Sequence, residues 1–333
     1  MIEVLILSML GLAGTALGSA ISGEDDSDHM DESSHDANAT EMDDDSGVAD
    51  TTLLTGHDDV VAADDAADNG ASEQHGTEGA DSLDGTVGDD LLMGYAGDDD
   101  LSGGDGDDGL YGGEGDDTLT DWTGDNQLFG GAGDDRIQGG FDTKGTTEAY
   151  GDAGHDTITD GDSDATIYGG DGDDLIVSGH GTGEIFGGAG DDVVETGIDT
   201  DTVFGGDGND RLTTVGTQED GAVDRIYGGD GDDVLHAYGT AELYGGDGSD
   251  HFATYANTWV EDAPVIQDFN PAEDTLEVEI DSHEGLQGLG DFDVRVEDFK
   301  DGTGASVFVD GHEVMRVPGA QGLDLSDVQL TLV

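Results

Sequence analysis

The chain has 333 residues, with 82 acidic side chains against 7 Lys and Arg and a formal charge of -75. Repulsion at that charge density excludes nucleic acid and anionic membrane surfaces as partners. Cysteine is absent, which removes disulfides, zinc–thiolate centres and thiol chemistry from consideration.

Residues 4–21 form an uncharged apolar run of borderline length for a bilayer. Glu3 stands where a secretory signal carries a basic residue, while Gly18-Ser19-Ala20 supplies small residues for a cleavage site. Residues 1–22 are therefore expected to be a signal peptide or a membrane anchor. Residues 23–79 are rich in Asp, Ser, Ala, Gly and His, with no basic side chain, and read as a disordered acidic linker. His29, His35, His57 and His75 fall in it as polar filler.

The array occupies residues 80–253. A nine-residue unit occurs eleven times between Gly85 and Ala253, with glycines in a turn, aspartate at position six and an apolar residue at position eight. Eight copies open with Gly-Gly, as in Gly103-Gly104-Asp105-Gly106-Asp107-Asp108-Gly109-Leu110-Tyr111; those from Gly85, Gly94 and Gly151 lack only the second glycine. A tight turn that aims several carbonyls at one point needs backbone angles that glycine adopts cheaply. A hard cation such as calcium takes six to eight oxygens, carboxylate and carbonyl alike. The position-six aspartates Asp90, Asp99, Asp108, Asp117, Asp135, Asp156, Asp174, Asp192, Asp210, Asp233 and Asp250 are the candidate metal ligands. Position eight, from Leu92 to Phe252, is apolar throughout, even in units that have lost their glycines. That column is the expected core.

This pattern, G-G-x-G-x-D-x-U-x, resembles the RTX, or haemolysin-type calcium-binding, family. The resemblance implies an all-β fold: a right-handed parallel β-roll of about nine coils, holding about nine or ten calcium ions. Acidic, glycine-rich chains of modest apolar content stay unfolded unaided, so cations are expected to complete the fold. Folding in millimolar calcium points outside the cell.

Strict turns recur from Gly94 at steps of about eighteen residues, or two units, so they stack along one edge of the roll. The other edge starts well at Gly85 and Gly103 and then decays, with Asn126, Ala165 and Gly183 replacing aspartate; the two longest turns fall there too. The strict edge is expected to hold about eight ions and the decayed edge one or two. Tyr111, Phe129, Tyr150, Tyr168, Phe186, Phe204, Tyr227 and Tyr244 precede strict turns and are expected to stack as a ladder. Such a strip serves stability or grips a polysaccharide or other surface.

From 254 to 333 the grammar changes. Val265–Leu276 resembles the segment that often follows RTX arrays, and Val307-Phe308-Val309, Asp310-Gly311 and Val314-Met315-Arg316-Val317 read as a hairpin. These residues are expected to form a β cap over the last open edge. The resemblance also implies a C-terminal signal for type I secretion machinery, with which the apolar ending Leu330-Thr331-Leu332-Val333 is compatible. No H-E-x-x-H, G-x-S-x-G or phosphate loop occurs, and neither flank resembles a catalytic domain. Two classes therefore stand: a secreted calcium-dependent structural or surface protein, or an adhesin-like module gripping a glycan or surface. Neither is an enzyme.

Overall fold

The computed structural model describes residues 70–333 except 141–144, 216–222, 257–262 and 282–288. The apolar segment 1–22 and the linker as far as residue 69 lie outside the described residues.

Each unit folds as its pattern dictates. Three residues are extended and alternate in direction, so in Thr118–Thr120 the middle Leu119 is buried while both threonines face outward. The glycines then reverse the chain, Gly113 at φ 123° and Gly115 at φ 127°, angles that are costly for any residue with a Cβ. Two units close one coil, and successive coils stack in parallel with like residues side by side: Ile167 sits between Ala149 and Ile185.

The stacking generates two sheets. Among the described residues one has 14 strands, including Gly109–Glu114 and Ala241–Asp247; the other has 12, including Thr118–Thr120 and His251–Tyr255. The column from Leu92 to Phe252 lies buried between them, as expected. Each such side chain contributes about 1.5–3 kcal/mol relative to exposure.

The roll begins earlier than residue 80. Glu73–His75 pairs with Leu91–Met93 in the first sheet, and Ser82–Asp84 pairs with Asp100–Ser102 in the second. The reason is a further unit, Gly76-Thr77-Glu78-Gly79-Ala80-Asp81-Ser82-Leu83-Asp84, with Leu83 fully buried. About ten coils therefore stack below the cap.

The cap forms as the sequence predicts. Val265–Ile266 and Thr275–Ile280 each extend one sheet, and Val328–Leu332 closes the second sheet as its last strand. Gly304–Val309 and His312–Pro318 make the expected antiparallel hairpin, turning at Asp310 and Gly311, both with positive φ. Asp268 accepts the N–H groups of Gly245 and Gly246, and Asp274 accepts that of Asp250, so the last turn of the roll ends on carboxylates.

Candidate metal centres

The strict turns stand above one another along one edge, and their aspartates form a continuous relay. The N–H of Asp99 donates to Asp117 Oδ1 at 2.7 Å, Asp117 to Asp135 at 2.8 Å, and Asp135 to Asp156 at 2.7 Å. The relay continues through Asp174, Asp192, Asp210 and Asp233 to Asp250. One carboxylate oxygen per turn is thus committed to the neighbouring coil.

The other oxygen has no donor. Oδ2 of Asp99, Asp117, Asp135, Asp156, Asp174, Asp192, Asp210 and Asp233, and of Asp108 on the second edge, is buried without a hydrogen-bond partner. A charge left so is strongly unfavourable unless paired or bound to a metal. Burial accordingly pushes the carboxyls of Asp117, Asp174, Asp210, Asp233 and Asp250 up to about 6, and those of Asp135 and Asp192 up to about 7.

Carbonyl oxygens converge on the same spots. A Cβ built on Gly112 would lie 2.2 Å from Asp117 Oδ2 and 2.6 Å from the carbonyl oxygen of Gly130, one coil on. Gly169 repeats this at 2.3 Å from Asp174 Oδ2 and 2.4 Å from Gly187 O, and Gly205 at 2.1 Å from Asp210 Oδ2 and 2.6 Å from Gly228 O. At each of these glycines a carboxylate and a carbonyl oxygen stand close together, forming a cradle of the donor types a hard cation takes. Among the described residues no three His, Cys, Asp or Glu side chains are placed to hold a metal, so most ligands here would be backbone carbonyls.

The family model for the RTX calcium-binding nonapeptide repeat matches residues 75–110, 111–143, 150–185, 181–212 and 220–241. Residues 75–241 belong to the RTX calcium-binding repeat family. A search of curated proteins finds no match for the chain. RTX repeats bind calcium, and the orphaned oxygens and carbonyl cradles of the strict edge fit that ion.

Two expected ligands differ from the rest of the RTX column. Asp90 Oδ2 accepts the N–H of Thr86 in its own turn at 2.6 Å, and Oδ2 of Asp250 is not among the buried orphans. Asp90 instead shares the relay of the second edge, receiving Ser72 N–H and donating to Asp108.

The structure also places aspartates that the nine-residue reading passed over. Asp81 opens the strict-edge relay by donating to Asp99 at 2.7 Å. Asp201 and Asp224 occupy position six on the decayed edge: Asp201 N–H donates to Asp224 Oδ1 at 3.1 Å, and Oδ2 of both is orphaned. Their signal was present, since each stands two residues before a core side chain, Val203 and Ile226. Asp121 and Asp160 occupy position one, where strict units carry glycine, and their Oδ2 atoms are likewise buried and unpartnered.

Glycine is required where coils touch. Gly188, at φ 125°, would carry a Cβ 2.1 Å from the carbonyl oxygen of Gly170. Gly188→Ala is expected to lower stability in saturating calcium by at least about 2 kcal/mol, from backbone strain alone and before the clash is counted. Gly79→Ala, whose Cβ would meet nothing within 4 Å, should stay within about 0.5 kcal/mol of the parent. Denaturant melts of the two variants side by side check this.

Proposed function

We propose that the protein is a secreted, non-catalytic calcium-binding structural module whose roll assembles as calcium fills its turns outside the cell. The observation that carries this reading is the column of buried, donor-less Oδ2 atoms along the strict edge. A permanent structural role for the ions follows from their place between coils: each cation would neutralise a carboxylate of one turn while holding a carbonyl of the next.

The aromatic ladder supports structure over adhesion. From Tyr111 to Tyr244 the rings stack with centroids 4.7–4.9 Å apart and planes within 13°. A sugar binds aromatic side chains through their faces, and between the end rings Tyr111 and Tyr244 both faces of every ring are taken by neighbouring rings. Offset contacts of this kind each contribute about 0.5–1.5 kcal/mol, so the ladder ties coil to coil. Export by type I secretion machinery belongs to the same reading. The terminal strand Val328–Leu332 pairs with Thr275–Ile280, so a signal there would be read before the cap closes.

Equilibrium dialysis of the full chain against calcium tests the proposal. About nine or ten ions per chain should bind at millimolar calcium, with magnesium failing to displace them because it demands a tighter octahedral shell. Binding of two ions or fewer, or equal binding of magnesium, would overturn it.

A further inference from the structure

At the second edge, between the turns Gly103–Asp108 and Asp121–Asn126, the fold brings together two carboxylates where a strict turn has one. A Cβ built on Gly103 would lie 2.5 Å from Asp108 Oδ2 and 2.0 Å from Asp121 Oδ2. In strict turns such as those at Gly112, Gly169 and Gly205 the second contact at this point is a backbone carbonyl of the next coil. Here the side chain of Asp121 takes its place.

Both groups are deeply buried, Asp108 at 3 % and Asp121 at 1 % exposure, and neither Oδ2 has a hydrogen-bond donor. Their other oxygens face the backbone: Asp108 Oδ1 accepts the N–H of Asp90 at 2.7 Å, and Asp121 Oδ1 faces the N–H of Thr123 at a long 3.4 Å. The turn has exchanged its residues in a consistent way. Asn126 replaces the position-six aspartate and still accepts the Asp108 N–H, at 2.9 Å, while Asp121 replaces the position-one glycine. The carboxylate has moved from one side of the turn to the other, toward Asp108.

Two buried carboxylates brought this close repel each other strongly. They can be relieved in only two ways: a proton shared between them, or a cation.

We propose that Asp108 and Asp121 together form a two-carboxylate calcium site on the second edge, pairing the position-six aspartate of one turn with an aspartate that stands at position one of the next. The proposal rests on the calcium-binding reading of the roll and adds a side-chain ligand, Asp121, at position one, where the strict repeats carry glycine and present only a backbone carbonyl. With two anionic oxygens on one ion, this site is expected to bind more tightly than the single-carboxylate cradles and to favour a trivalent lanthanide even more strongly. Its neighbour Trp122, an exposed side chain, provides a local antenna.

The experiment uses the full chain carrying Trp259→Phe, so that Trp122 is the one remaining tryptophan of the two in the sequence. Terbium is titrated and its emission read through tryptophan excitation, with calcium dialysis in parallel. Asp121→Asn, and Asp121→Gly, which restores the residue of the strict repeats, should each shift the terbium curve by about 10–100-fold to higher concentration. Each should also bind one calcium fewer at the lowest concentration that saturates the parent. Circular dichroism in saturating calcium confirms that the roll is folded, and the glycine variant remains informative if the asparagine variant does not fold. Unchanged terbium and calcium curves in a folded variant would sink the proposal and leave a shared proton between the pair. If the parent chain binds no calcium at all, the failure belongs to the reading of the whole roll.

Discussion

Chelation of calcium is expected to unfold both sheets in a single transition, leaving a coil-like far-ultraviolet spectrum, and millimolar calcium is expected to restore β structure cooperatively. The reason lies in the strict edge. Seven of its aspartates are raised by burial to about 6 or 7. A shift of two pKa units corresponds to about 3 kcal/mol of penalty for ionisation at neutral pH. Several such penalties together exceed the net stability of about 5–15 kcal/mol that a domain usually has. A bound ion reverses the sign, since each site at a hundredfold excess of ligand adds about 2.7 kcal/mol. Because every site joins two coils, loss of one loosens the next, which makes the transition steep. Far-ultraviolet circular dichroism of the full chain during a calcium titration, with magnesium as the control, reads this directly. A spectrum already rich in β structure in chelator, and unmoved by calcium, would mean that the ions are incidental to the fold.

Acid should partly substitute for calcium. In chelator, the folded-state values of these aspartates lie above the ordinary carboxylate value of 3.8, so the folded chain takes up protons that the unfolded chain does not. Stability then falls as pH rises, following the difference in bound protons. The protonated roll has its full stability below about pH 4; that stability is lost as pH climbs through 6 to 7, where Asp117, Asp135 and their neighbours ionise in place. The metal-free chain should therefore gain β structure between pH 7 and pH 4. The calcium-loaded chain should do the opposite, because protons compete for the same oxygens. Parallel pH titrations by circular dichroism, in chelator and in millimolar calcium, should cross. Two curves of the same slope would show that the buried carboxylates are not the coupling groups.

The nine-residue period alone determined the two-sheet roll, its inward column and its strict edge. A glycine turn cannot share angles with a β-branched strand, and an aspartate two residues before a buried leucine can face only the turn. Periodicity carries such facts because each depends on residues close in sequence. The hairpin at Asp310-Gly311 was legible for the same local reason. The start of the roll was not: Gly76–Asp84 has the same relaxed pattern as the unit from Gly85 but sits against an acidic linker of similar composition, and the pairing of Ser82–Asp84 with Asp100–Ser102 reveals it as part of a coil. The orphaned oxygens were likewise invisible in sequence, where every aspartate of the unit looks alike. Stacking decided that Oδ1 serves the coil below and Oδ2 serves no one. It also gave the outlying aspartates their places: Asp201 and Asp224 in the relay, and Asp121 against Asp108 across a coil. Those relations join residues 13 to 23 apart, through a register that insertions of three and five residues shift at Ala149 and Ile226. A one-dimensional pattern loses count at such insertions, whereas the sheet restores the register because each buried side chain must still meet the one below it.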